Sequence, residues 1–147
     1  MGEGLDAVVF RIDDVDAAIE FALSKSRCKR FIIEEFIEKK RPYLIGGDLF
    51  VVDGGVRMWG LMNCHRDSAV NPLVPVGKSF PLMLEPKDQL EVRRTLQEMV
   101  DRLGIRCGAM NVELVVDAQG RVWPIDVGPR NGGNMIPDLL GLIFGVD

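Results

Sequence analysis

Apolar residues along this chain change period several times, and each change marks an element. Behind Pro86, the positions Val92, Leu96, Met99, Val100 and Leu103 recur at three- and four-residue steps, the spacing that lines one helix face. Pro86 suits the first helical position, Arg102 falls in the last turn and Gly104 follows it, so a helix is expected between 86 and 104. Val15, Ala18, Ile19, Ala22 and Leu23 repeat that spacing behind Asp13 or Asp14, either of which can cap. Elsewhere the period drops to two, or the apolar runs become continuous. "DAVVFRI" (6–12) and "RFIIEEFIE" (30–38) read as strands, and "YLIGGDLFVVDGGVRMWGLMN" (43–63) reads as two strands around Asp53–Gly55. Residues 64–85, with prolines at 72, 75 and 81, read as an irregular surface segment. "GAMNVELVVDAQGRVWPIDV" (108–127) reads as a hairpin turned at Asp117–Gly120, and a short helix is expected after Asn134. Strands and helices mix without a βαβ rhythm. The expected class is α+β, a mainly antiparallel sheet with flanking helices.

Composition narrows the setting. The 147 residues are 47% hydrophobic and 27% charged, which suits one globular domain with its own core. The net charge of −4, with both signs interspersed, argues against a nucleic-acid partner, since a phosphate backbone demands a basic face. No run approaches the roughly 20 apolar residues of a membrane span, and the N-terminus lacks the pattern of a secretory signal. Cys28, Cys64 and Cys107 are odd in number and widely spaced, which points to a reducing, cytoplasmic setting and buried apolar roles.

The second hairpin carries the candidate chemistry. If Asp117 and Gly120 pair across the turn, Glu113 faces Pro124 and Asn111 faces Asp126. Opposed residues point to the same side of a sheet. Asn111, Glu113 and Asp126 then share one face, while Met110, Val112, Leu114, Trp123, Ile125 and Val127 share the core face. Glu113 and Asp126 become diagonal neighbours, roughly 7–8 Å apart at the backbone. Two carboxylates there repel unless a cation lies between them, and Mg²⁺ takes one or two protein carboxylates, with water and phosphate oxygens completing its shell. A one-residue slip would send Asp126 to the core side. The other reading is a solvated hairpin face, but Ala109, Asn111, Glu113 and Val115 do not make a typical wet surface.

Other signals are weaker. "VGKS" (76–79) lacks the first glycine of a P-loop, whose place is taken by Pro72, and Lys78 reads as a solvated loop lysine or a phosphate contact. His65 is the one histidine, so a Cys–His zinc site lacks its second pair. Cys64 and His65 are neighbours on a strand and point to opposite faces, a poor nucleophile–base geometry.

"NVELVVDAQGRVWPIDVGPRNGG" resembles the last hairpin of ATP-grasp enzymes, a superfamily that includes carbamoyl-phosphate synthetase, biotin carboxylase, the purine-pathway carboxylases and D-Ala–D-Ala ligase. The shared pattern is an acid, a turn, a second acid and an arginine four residues on, here Glu113, Asp126 and Arg130. "FIIEEFIE" (31–38) resembles the hinge that receives adenine, and "GGDLFVVDGG" (46–55) the strand pair after it. The resemblance runs from about residue 5 to 143. It implies that Glu34 accepts the adenine amino group and that the backbone of Glu35, Phe36 and Ile37 pairs with the ring edge. It implies a nucleotide-facing Asp48, Mg²⁺ (or Mn²⁺) on Glu113 and Asp126, and a catalytic Arg130 that stabilises the phosphoryl group in transfer. Gly128 stands where many members carry a metal-binding asparagine; Asn131 or Asn111 would substitute. The lysine strand and glycine loop that precede this region in the family are missing, since the chain opens at "MGEGLDAVVF". A partial ATP-grasp domain, 1–147, is therefore expected, with a hinge strand at 30–38 and a metal-site hairpin at 108–127. The implied function is the ATP- and Mg-binding portion of a carbamoyl-phosphate synthetase-like ligase, inactive alone, whose partners are a nucleotide and a small carboxylate. Self-association, or docking of the missing lobe, would cover an exposed apolar face. The alternatives are a non-catalytic nucleotide-binding module and a metal-dependent phosphate-ester hydrolase.

Overall fold

A computed structural model describes residues 14–67, 71–133 and 135–145, with side chains over the same residues except 71–74. The strand expected at 6–12 and the candidate cap Asp13 lie outside them. The chain divides into two compact units, residues 1–37 and 38–147. In the first, helix α1 (Val15–Lys25) forms at the expected spacing, with Asp14 at its N-cap making no side-chain capping bond. No residue of α1 is buried. Residues 30–38 do not form the expected strand: they have no ladder partner among the described residues. Ile32 and Ile33 are 83% and 72% exposed, and pairing begins only at the isolated bridge Lys39–Asp117. β-propensity without a neighbouring strand does not make a strand.

The second unit is a five-stranded antiparallel sheet in the order β3-β2-β1-β4-β5. Its strands are β1 (Leu44–Val52), β2 (Gly55–Asp67), β3 (Asn71–Ser79), β4 (Cys107–Val116) and β5 (Val122–Gly128). The first hairpin closes through Asp53 and Gly54, both with positive φ, as a two-residue turn matching strand twist requires. Residues 71–79 are a strand, against the irregular segment expected; an edge position tolerates Pro72 and Pro75 because the outer N–H groups need no partner. Helix α2 (Pro86–Leu103) covers one sheet face. Its Val92, Leu96 and Val100 are fully buried against Ile45, Leu49, Val51, Met110, Val112 and Leu114. Leu103, placed in the stripe by spacing, is 61% exposed at the helix end, where Gly104 adopts the left-handed cap. Asn63, also on that face and fully buried, donates to the Ser79 and Pro81 carbonyls and the Ser79 hydroxyl and accepts from Met83 N–H, so it ties residues 79–83 to the sheet.

Helix α3 (Ile136–Phe144) packs on the opposite face, where Ile136 and Leu140 meet Met62. Gly60 makes that approach possible, since a Cβ there would come within 2.6 Å of the Leu140 side chain. Cys64 is buried as expected, whereas Cys28 and Cys107 are exposed; all three are free.

Candidate functional site

The hairpin expected at 108–127 forms, but its register differs from the expected one in two places. Asp117 N–H donates to the Arg121 carbonyl and Gly120 N–H to the Asp117 carbonyl, so the loop holds three residues, with Gly120 at φ +80°. That is the three-residue hairpin turn with a glycine in the left-handed position, and it slips the register by one. The Asp117 carboxylate fixes it, accepting from the Gln119 and Arg121 N–H groups, the Arg121 guanidinium and the Trp123 indole. Burial pushes Asp117 up, but these donors outweigh it and hold its carboxyl at about 2. A bulge then inserts a second slip: Leu114 pairs with Pro124 and Glu113 with Asp126, leaving Ile125 over. The slips restore face parity. Glu113 and Asp126 are therefore directly opposed rather than diagonal, and their side chains share the face opposite α2. The expected core face changes accordingly. Val122 and Val127 pack against the core, Trp123 turns its indole to Asp117, and the bulge residue Ile125 is 54% exposed.

Around this pair the face is polar and floored by glycine. One cross-strand row reads Met62, Gly46, Glu113, Asp126, and the next reads Gly60, Asp48, Asn111, Gly128. A Cβ on Gly46 would meet the Val112 carbonyl at 2.8 Å and Cys64 Sγ at 3.0 Å. Glu113 is partly buried and accepts from Arg66 Nη2 at 2.7 Å, across β1. Lys78 Nζ lies 2.7 Å from Cys64 Sγ. Burial pushes the Cys64 thiol up, against the pull of Lys78. Lys78 is thus a half-buried strand residue, not a solvated loop lysine. His65 leaves the opposite side of β2 and pairs with the Ser79 hydroxyl at 2.7 Å, away from Glu113.

Asp48, which the resemblance implies faces the nucleotide, is buried. Its carboxylate accepts from Asn111 Nδ2 at 2.7 Å and from Gly132 N–H at 2.9 and 3.0 Å, so it ties the loop after β5 to the sheet. Gly132 is a packing requirement, because a Cβ there would lie 2.7 Å from Asn111 Nδ2 and 2.9 Å from Asp48 Oδ1. Arg130 is exposed, donates to the Asn131 carbonyl, and folds over Gly128. A Cβ on Gly128 would point to the acids' face and find the Arg130 guanidinium carbon at 3.7 Å, which puts that group beside the acid pair. Asp126 and Asn131 are exposed too. Glu34, Glu35 and Phe36 are exposed and Ile37 half-exposed, in the other compact unit. The sequence reading missed Arg66 because 64–67 was read as irregular; alternation from Met62 through Cys64 puts it on this face.

No family model matches the chain, and no curated protein matches it. Solved structures do. A phosphoribosylglycinamide synthetase from Anaerococcus prevotii is similar at TM-score 0.62 and 22% identity, over 89% of this chain and 32% of that one. An L-amino acid ligase from Bacillus licheniformis is similar at TM-score 0.70 and 21% identity, over 90% and 33%. The biotin carboxylase domain of a Hydrogenobacter thermophilus 2-oxoglutarate carboxylase, solved with MgADP, ADP and bicarbonate, is similar at TM-score 0.70 and 18% identity, over 92% and 29%. The chain shares its fold, an ATP-grasp-like one, with these solved structures over the parts that align. The chain spans about a third of the length of these solved structures. Among the described residues, no helix is long and apolar enough to cross a membrane. Nor does any group of three or more His, Cys, Asp or Glu side chains among them stand ready to hold a metal. Two opposed carboxylates still fit Mg²⁺, whose remaining positions go to water and phosphate oxygens.

Proposed function

We propose that this chain is the ATP- and Mg²⁺-binding portion of an ATP-dependent ligase. The enzyme would make an acyl phosphate from a small carboxylate and pass the acyl group to an amine or other nucleophile. The observation that carries this reading is the direct pairing of Glu113 with Asp126 on the glycine-floored face. Those two side chains would hold Mg²⁺, which supplies charge neutralisation for the phosphate oxygens. Asn111 spends its amide nitrogen on Asp48 and the Gly47 carbonyl, and its Oδ1, with no described partner, is the substitute for the asparagine missing at Gly128. Arg130, beside the pair, offers a planar fork of donors to the phosphoryl group in transfer. Asp48 and Gly132 hold the loop that carries it. Glu34 and the backbone of Glu35 to Ile37 keep their adenine role on the resemblance alone.

Thermal melting with and without Mg-ADP tests the reading, since a ligand that binds the folded state at about 100 times its Kd stabilises by about 2.7 kcal/mol. A Mg²⁺-dependent rise in melting temperature that disappears in both Glu113→Gln and Asp126→Asn is expected. An equal rise in those variants, or none in the native chain, refutes it. A stabilised chain without ligase turnover supports the non-catalytic module, and hydrolysis of a phosphate ester without an acceptor supports the hydrolase.

A further inference from the structure

Asn131–Gly132 is the one Asn-Gly step in the sequence, and it lies in the loop after β5 with Asn131 exposed. At such a step a chain readily loses side-chain ammonia, because glycine has no Cβ to hinder its main-chain nitrogen as it approaches the asparagine amide carbon. Packing leaves no room for a larger residue: a Cβ on Gly132 would lie 2.6 Å from Ile136 Cδ1 and 2.7 Å from Asn111 Nδ2. The nitrogen that would attack is the one Asp48 holds. Gly132 N–H donates to both carboxylate oxygens, at 2.9 and 3.0 Å, and Asp48 is buried. Attack requires that nitrogen to swing over the Asn131 side chain and to give up its proton. The swing breaks both contacts. The negative charge that builds on the nitrogen also faces a carboxylate in a low-dielectric setting. Arg130 pulls the other way, since its Nη1 donates to the Asn131 carbonyl at 2.9 Å, but Arg130 is exposed and screened by solvent.

We propose that Asn131–Gly132 is a modification site, a deamidating step that Asp48 holds shut in the folded chain. The Gly132 main-chain nitrogen attacks Asn131 Cγ. The N–Cγ bond forms, the Cγ–Nδ2 bond breaks, and the proton of the attacking nitrogen leaves with Nδ2 as ammonia. Water then opens the succinimide at either carbonyl, giving aspartate or isoaspartate. Either product sets a new carboxylate beside Arg130. Isoaspartate also adds a carbon to the main chain between residues 131 and 132. That moves the Gly132 N–H off Asp48 and unlatches the loop from the sheet.

Incubation of the full chain at fixed pH and temperature tests the site, with peptide mapping by mass spectrometry for aspartate and isoaspartate at position 131. A synthetic peptide of residues 127–137 gives the unguarded rate. Native Asn131 is expected to convert about tenfold or more slowly than the peptide, the factor that one hydrogen bond to a charged group supplies. Asp48→Asn is expected to convert faster than the native chain, because an acceptor and its charge are lost together. Asn63→Ala is destabilised on the other sheet face, leaves Asp48 in place, and is expected to convert at the native rate. Native conversion at the peptide rate overturns the proposal. An unchanged rate in folded Asp48→Asn overturns it too, as does an equal acceleration in Asn63→Ala, which assigns the effect to global unfolding. If Asp48→Asn does not fold, amide hydrogen exchange in the native chain decides. A Gly132 N–H protected about tenfold or more supports the guard, and exchange at the unprotected rate overturns it.

Discussion

Replacing Asp48 by asparagine tests whether one buried carboxylate positions the loop after β5. The substitution keeps the size of the side chain and removes one acceptor. Two donors now converge on that carboxylate, Asn111 Nδ2 on Oδ1 and Gly132 N–H on both oxygens. An amide presents one oxygen and one NH₂, so at least one donor must face another donor. A hydrogen bond to a charged group contributes about 1.5–3 kcal/mol, and an unsatisfied buried donor adds its desolvation penalty, so a loss of about 2–4 kcal/mol is expected. With a urea m-value of about 2 kcal/mol/M, the unfolding midpoint falls by about 1–2 M. Gly132→Ala strains the same contact, since its Cβ would lie 2.9 Å from Asp48 Oδ1 and 2.6 Å from Ile136 Cδ1. The two substitutions therefore share a partner, and their double mutant should depart from additivity by more than about 0.5 kcal/mol. The Mg-ADP response should weaken in both, because Arg130 rides on this loop. A midpoint within the error of the native chain, or strict additivity with Gly132→Ala, refutes the anchoring role.

Three further outcomes follow from the same geometry. Asn63→Ala removes four hydrogen-bonded contacts that tie residues 79–83 to β2, and should cost about 2–4 kcal/mol in urea unfolding. Asp117 has its folded value depressed from 3.8 to about 2, so its contribution is present above 3.8 and is lost as pH falls towards 2. Asp117→Asn should therefore flatten the stability-versus-pH curve within that window, measured by thermal melting from pH 2 to 5. Ile125→Thr, at an exposed bulge position, should change stability by less than about 0.5 kcal/mol, whereas Val127→Thr, against the core, should cost about 1–2 kcal/mol in the same assay.

Periodicity made α2 and both hairpins legible, because amphipathic spacing there coincides with burial. It failed at 30–38, where the residues are apolar and β-prone but no strand lies alongside to complete a ladder. It failed again at 71–79, where prolines read as irregularity because strand order, which no local pattern carries, decides whether proline is tolerated. The resemblance picked out Glu113, Asp126 and Arg130 from their order along the chain, and the structure sets Glu113 opposite Asp126. The contacts of Arg66 and Asp48 were hidden because each depends on a partner 47 or 84 residues away.

The pairing of the two acids is the case where a sound conclusion came through an unsound register. Loop length and bulge are independent features, and each alone would turn Asp126 into the core. Together they cancel, which makes a specific demand on Ile125. Since Pro124 and Ile125 both oppose Leu114, deleting Ile125 removes the bulge but leaves Pro124 opposite Leu114 and Asp126 opposite Glu113. The deletion should fold with a loss of about 1–2 kcal/mol and keep its Mg-ADP-dependent stabilisation. A deletion variant that folds yet shows no Mg-dependent response would mean that the bulge itself aims Asp126, and that direct opposition of the two acids is not enough.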